Sequence, residues 1–96
     1  MLKKNQLQHL RKLAHNSNPV VWIGQHGLSE NVLNEIEAAL DHHELVKIKV
    51  RVGEREQRNA ACDEICKATQ ATMIKKIGNT LSIYRANPDN PVISLP

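Results

Sequence analysis

The sequence has no phenylalanine, and Trp22 and Tyr84 are its only tryptophan and tyrosine. A core must therefore be assembled from Leu, Ile, Val and Ala, and a binding platform of several stacked rings is excluded. Cysteine is also scarce. Cys62 and Cys66 stand four apart on a predicted helix, on one face with Ala61 and Ile65, and no second Cys or His pair stands at zinc spacing. Two buried free thiols are expected, and neither a disulfide framework nor a metal site. No apolar run approaches the length of a membrane span, and Met1-Leu2-Lys3-Lys4 leads into polar residues and not into a signal-peptide segment. The expectation is a cytoplasmic chain without membrane contact.

Catalytic signatures are missing as well. There is no Gly-x-Ser-x-Gly, no P-loop and no carboxylate pair placed in an evident cleft. Asp41-His42-His43-Glu44 resembles a metal cluster only on paper, because adjacent helical residues point about 100° apart and cannot easily share one ion. No enzyme activity, cofactor, metal or small-molecule substrate is expected.

What the chain does have is an excess of positive charge: 13 Lys and Arg against 10 Asp and Glu, for a formal charge of +3 and a pI near 9.1. An anionic partner suits this balance. At 96 residues the chain has room for one domain, residues 1–96, with one modest core and one function-bearing surface. A monomer is expected, and the tail, 88–96, is read as irregular or as a short edge segment.

Leu7, Leu10, Leu13 and Ala14 recur at helical spacing, with Lys4, Gln8, Arg11, Lys12 and His15 on the other side. The first helix thus carries a basic stripe, which ends at Asn16-Ser17-Asn18-Pro19. Val20-Val21-Trp22-Ile23 reads as a short buried strand. Ser29 caps a second helix, with Leu28 and Leu33 as a hydrophobic staple. Val32, Leu33, Ile36, Ala39 and Leu40 form its apolar face, and Glu30, Asn34, Glu37 and Asp41 its acidic one. From Leu45 to Val52 the chain alternates, Val46, Ile48, Val50 and Val52 to one side and Lys47, Lys49 and Arg51 to the other. Gly53 turns into a third helix from about Glu54 to Thr69, facing inward with Ala61, Cys62, Ile65, Cys66 and Ala68. Met73 to Ile77 and Thr80 to Arg85 form a hairpin about Gly78-Asn79.

The order helix, strand, helix, strand, helix, strand, strand predicts an α/β two-layer sandwich with a four-stranded mixed sheet. Two helical crossovers imply parallel neighbours, and the hairpin adds an antiparallel pair. The alternation at Lys47, Lys49 and Arg51 implies helices on one face of the sheet and an open face opposite. A two-residue hairpin sets Lys75 against Ser82, Met73 against Tyr84 and Ile74 against Ile83. With Ile74 and Ile83 on the core side, Lys75, Ser82 and Tyr84 join the three cations on the open face. Such a row is either a phosphate-tracking surface with one stacking ring, Tyr84, or a solvated face that protects an edge.

Between the first strand and the second helix stands Gly24-Gln25-His26-Gly27. Its glycines either turn the chain or let a sugar-phosphate backbone come close, as in the Gly-x-x-Gly loop of KH modules. The basic first helix leads into the strand that delivers this loop. Glu30 acts against phosphate, because at the first helical position it satisfies the macrodipole itself.

Three stretches in order, P-V-V-W-I-G-Q-H-G-L-S-E-N-V (Pro19 to Val32), H-H-E-L-V-K-I-K-V (His42 to Val50) and I-G-N-T-L-S-I-Y-R (Ile77 to Arg85), resemble the bacterial YhbY family, the stand-alone form of the CRM domain (chloroplast RNA splicing and ribosome maturation). The resemblance covers nearly the whole chain. It implies a helix-first α/β sandwich similar to the C-terminal domain of translation initiation factor three. It also implies RNA binding through Gly24, Gln25, His26 and Gly27, and association with the precursor of the large ribosomal subunit during assembly. Many members carry small or basic residues where this chain has Gln25-His26, so contact through the loop backbone is expected over contact through charge. With Lys3, Lys4, Arg11, Lys12, Lys47, Lys49, Arg51 and Tyr84, this loop makes up the expected RNA-binding set, and ribosomal RNA is the expected partner. The competing reading is a protein-interaction module that docks through its helices and is basic only incidentally.

Overall fold

The computed structural model describes residues 2–96. The chain forms α1 (Lys4–His15), β1 (Val21–Ile23), α2 (Glu30–His43), β2 (Leu45–Val50), α3 (Arg55–Thr69), β3 (Thr72–Ile77) and β4 (Thr80–Tyr84). This is the expected order. The four strands make one mixed sheet in the order β1-β2-β4-β3, with β1 parallel to β2 and the other pairs antiparallel.

The second crossover does not join neighbours, because β4 inserts between β2 and β3. Burial explains the insertion. Leu81, Ser82, Ile83 and Tyr84 are all buried, so β4 needs cover on both faces and takes an interior position. By contrast β3 carries Lys75, Lys76 and the half-exposed Met73, as suits an edge strand.

The Val and Ile residues that alternate along β1, β2 and β4 meet α2 and α3 on one face. Val21, Ile23, Val46, Ile48, Val50, Leu81 and Ile83 pack there with Ile36, Leu40, Cys62 and Ile65. Each such aliphatic side chain contributes about 1.5–3 kcal/mol when fully buried. Ser29 caps α2 as expected, its Oγ accepting from the Val32 N–H at 3.2 Å. On α3, Ala68 is exposed and Thr69 is buried in its stead, its hydroxyl donating to the Ile65 carbonyl at 2.7 Å.

The opposite face is not open. The apolar stripe of α1 needs cover, and α2 and α3 already occupy the other side. Leu10 therefore packs on Ile74 and Tyr84, with Leu2, Leu7, Leu45, Ile93 and Leu95 around them. A bulge in β3 makes this second core possible. Lys75 faces Ser82 as expected, but Met73 pairs with Ile83 and Thr72 with Tyr84, so that Ile74 is the extra residue. The bulge turns Ile74 toward α1, whereas strict alternation had placed it with Ile83.

The tail after Tyr84 forms no strand, yet it is fastened. The Glu44 carboxylate, 2% exposed, accepts from the backbone N–H groups of Asn87, Val92 and Ile93, each at 2.7 Å. Arg85 donates to Glu37 at 2.7 Å, to the Thr69 carbonyl at 2.8 Å and to Asp41 at 3.0 Å, tying β4 to α2 and α3. Glu37 and Asp41 of the acidic face of α2 are thereby paired with Arg85 at the surface.

Candidate nucleic-acid interface

At the end of β1 the Ile23 carbonyl accepts from the Arg51 N–H at 2.8 Å. The chain then reverses through Gly24 to Gly27, closed by the Gly27 N–H donating to the Gly24 carbonyl at 3.0 Å, with Gln25 and His26 exposed at the corners. Gly27 has φ +74°, a conformation that favours glycine. Gly24 is not in that region, and a Cβ built on either glycine meets nothing within 4 Å. Gly27 is thus explained by the turn itself. Neither conformation nor internal space explains Gly24, which leaves open access from outside.

Charge is unevenly distributed over the elements of the fold. All 10 acidic residues lie on or beside α2 and α3 or in the tail: Glu30, Glu35, Glu37, Asp41, Glu44, Glu54, Glu56, Asp63, Glu64 and Asp89. Neither α1 nor any strand contains one. Lys3, Lys4, Arg11 and Lys12 lie on α1 or at its start, and Lys47, Lys49, Arg51 and Lys75 on or just after the strands whose face α1 partly covers. The α1 side therefore presents a cationic surface among the described residues.

The expected site residues fall into separate groups on that surface. Arg51 and Lys49 lie beside the Gly24–Gly27 turn, because Ile23 pairs with Val50 and Trp22 with Lys49. The hairpin tip stands at the same end, where Asn79 accepts from the Val50 N–H at 2.6 Å. Lys49 Nζ is 3.4 Å from the Thr80 hydroxyl. Lys47 is engaged within the fold: its ammonium donates to the carbonyls of Ala14 at 3.1 Å and Ser17 at 3.2 Å, holding the end of α1 on the sheet. Arg11 Nε donates to the Ile74 carbonyl at 3.3 Å, and Lys12 is exposed one residue on. Lys3 and Lys4 begin α1 beside Leu2, which packs near Tyr84 and Leu45. That is the far end of β2, about 17 Å of strand away from Val50.

Tyr84 must leave the set. It is 7% exposed beneath α1, and burial, followed by the negative charge of Glu44, pushes its phenol pKa up. The aromatic ring that this surface does expose is Trp22, at 56%. The signal for it lay in its own strand, since Val21 and Ile23 on either side point into the core. Beyond the last turn of α1 a cleft of about 180 Å³ opens over the same face, lined by Ala14, His15, Lys47, Lys75, Thr80 and Ser82.

The thiols and imidazoles offer no second centre. Cys62 is buried and Cys66 half-buried, both unbridged, and desolvation raises both pKa values. Among the described residues, no group of three or more His, Cys, Asp or Glu is placed to hold a metal. No helix there is long and apolar enough to cross a membrane.

The family model of the CRS1 / YhbY (CRM) domain matches residues 2–85, from just before α1 through Arg85. The chain belongs to the CRM family. A Haemophilus influenzae relative, named an RNA-binding protein, is 44% identical over 88 residues, which cover 92% of this chain and 89% of the relative. YqeI of Bacillus subtilis is 31% identical over 96 residues and aligns along the whole of both chains. The solution structure of a Staphylococcus aureus protein superposes with a TM-score of 0.80 at 33% identity, again over the whole of both chains. The tail after Arg85 lies beyond the family match, although the Staphylococcus aureus structure aligns along it too.

Proposed function

We propose that this CRM protein binds RNA through the Gly24–Gly27 turn and the cationic surface beside it. Its partner in this reading is ribosomal RNA in the precursor of the large subunit, and it acts there in assembly, as a single-domain monomer in the cytoplasm and without catalysis. The observation that carries the reading is Gly24, a glycine that neither its φ nor its surroundings require, placed beside the cations Lys49 and Arg51 of β2 and its end. A phosphate chain approaching that turn meets backbone N–H groups, Lys49 and Arg51, and little steric obstruction. The Haemophilus relative, named an RNA-binding protein, supports the same reading.

The test is a titration of precursor large-subunit RNA at several salt concentrations, with the Gln25→Asp, His26→Asp double variant alongside. Wild-type affinity should fall steeply with salt, because counterions are released from neutralised phosphates. The double variant should keep its melting temperature and lose at least about tenfold in affinity, since two carboxylates at the turn repel phosphate. Salt-insensitive binding, or a folded double variant that binds as wild type, would favour docking through the helices instead.

A further inference from the structure

We infer that the part of the sheet face left uncovered by α1 takes an unpaired nucleobase, stacked on Trp22 with its phosphate against Lys49 and Arg51. The inference rests on the RNA-binding reading and gives it a substrate preference, single-stranded over duplex RNA. Strand pairing defines the place. Trp22 pairs with Lys49, Lys49 with Thr80 and Thr80 with Ile77, so one row across all four strands reads Trp, Lys, Thr, Ile. The next row holds Lys47 and Ser82, and there the end of α1 is already anchored by Lys47. Trp22 at 56% and Ile77 at 61% exposure therefore lie just past the edge of the cover.

An exposed indole in a chain with so few rings leaves a large apolar surface in water, and something with a flat face and negative charge fits it better than another apolar side chain would. The row supplies a π-face, a hydroxyl and a cation, and no carboxylate stands on any strand or on α1. That charge pattern disfavours a basic peptide and suits a nucleotide. The long 3.4 Å contact of Lys49 with Thr80 leaves ammonium protons for a phosphate oxygen. Reach also matches. Trp22 precedes Gly24 by two residues, about 7 Å of extended backbone, so one RNA strand held at the turn passes over the indole. A paired base hides both faces in its stack, which is why the site selects unpaired ones.

Trp22 is the only tryptophan, so its fluorescence reports on this site alone. The wild-type protein is titrated with a short fluorescently end-labelled oligoadenylate and, separately, with an RNA duplex of equal length, following indole emission and label anisotropy together. Quenching that saturates with oligoadenylate binding, and none with the duplex, is expected. Trp22→Leu should keep its melting temperature, lose about five- to hundredfold in affinity for oligoadenylate, and keep its salt slope and its duplex affinity. Trp22→Phe should recover part of the loss. Anisotropy that shows oligoadenylate binding without quenching, or a Trp22→Leu variant that binds it unchanged, overturns the stacking site and leaves RNA binding standing. Emission that shifts with protein concentration in the absence of RNA also overturns it, in favour of a second copy covering the indole. Failure to bind either RNA overturns the functional reading and this inference with it.

Discussion

Replacing Gly24 by alanine separates stability from binding. In the folded protein the new methyl meets nothing within 4 Å, and the backbone there is outside the left-handed region. The substitution is therefore free of strain, and by reducing the conformational freedom of the unfolded chain it should stabilise by about 0.4–1 kcal/mol. In a domain of this size that corresponds to a rise of roughly 2–8 °C in Tm. Bound RNA meets the same methyl differently. If a phosphate backbone lies in van der Waals contact with Gly24, the Cβ holds it off and at least one charge-assisted N–H bond to phosphate is lost. Such a bond contributes about 1.5–3 kcal/mol, or roughly ten- to hundredfold in affinity.

The signature is thus a protein that melts higher and binds worse, read by thermal denaturation and by anisotropy of labelled ribosomal RNA in the same buffer. Gly27→Ala is the contrasting variant. Its φ of +74° makes any side chain costly, by about 1–2 kcal/mol, so it should melt lower as well as bind worse. A Gly24→Ala protein that melts as expected and binds RNA as tightly as wild type would refute the argument that Gly24 is kept for a ligand.

Two further perturbations follow from the same structure. Lys49→Met with Arg51→Met should flatten the log-log salt dependence of RNA binding by roughly two, about one per phosphate contact, whereas Lys3→Met with Lys4→Met, at the far end of the sheet, should change it little; the reverse ranking would move the RNA to the start of α1. Burial alone would raise the Glu44 pKa, but the N–H groups of Asn87, Ile93 and Val92 outweigh it and hold the carboxyl below the usual glutamate value. A depressed folded pKa stabilises fully above the unfolded value and is lost as pH falls through the folded one. Glu44→Gln must turn an NH2 group toward one of those donors, so denaturant melts should show a loss of about 2 kcal/mol at pH 7, shrinking as the pH falls below about 4.3. A loss that stays constant down to pH 3 would mean that the charge of Glu44 does not hold the tail.

The element order and the α2/α3 layer were legible because each rests on a local regularity. Alternation fixed which side chains of β2 share a face, helical spacing fixed the inner side of α2 and that of α1 apart from Leu13, which is exposed, and Ser29 marked the start of α2. Glu44 and Arg85, by contrast, lie inside the stretches that carry the family resemblance, yet nothing nearby in sequence announces what they do. Their partners are 43 to 49 residues away for Glu44, and for Arg85 48, 16 and 44 residues away at Glu37, Thr69 and Asp41. Fastening of the tail is a property of the assembled chain.

The candidate surface shows where local reading stops. Alternation correctly grouped Lys47, Lys49, Ser82 and Tyr84 on one side of the sheet, but membership of a face does not say what lies over that face. The stripe of Leu7, Leu10 and Ala14 had to be buried somewhere, and with α2 and α3 on one side only the other remained. Once α1 is laid there, the residues beneath its length, Tyr84 and Lys47, become structural, and those past its end, Lys49 and Trp22, are left uncovered by the helix. The exchange of Tyr84 for Trp22 is thus a consequence of helix length. Twelve residues of α1 reach about 18 Å, enough to cover part of the sheet and to leave exposed the row beside the Gly24–Gly27 turn.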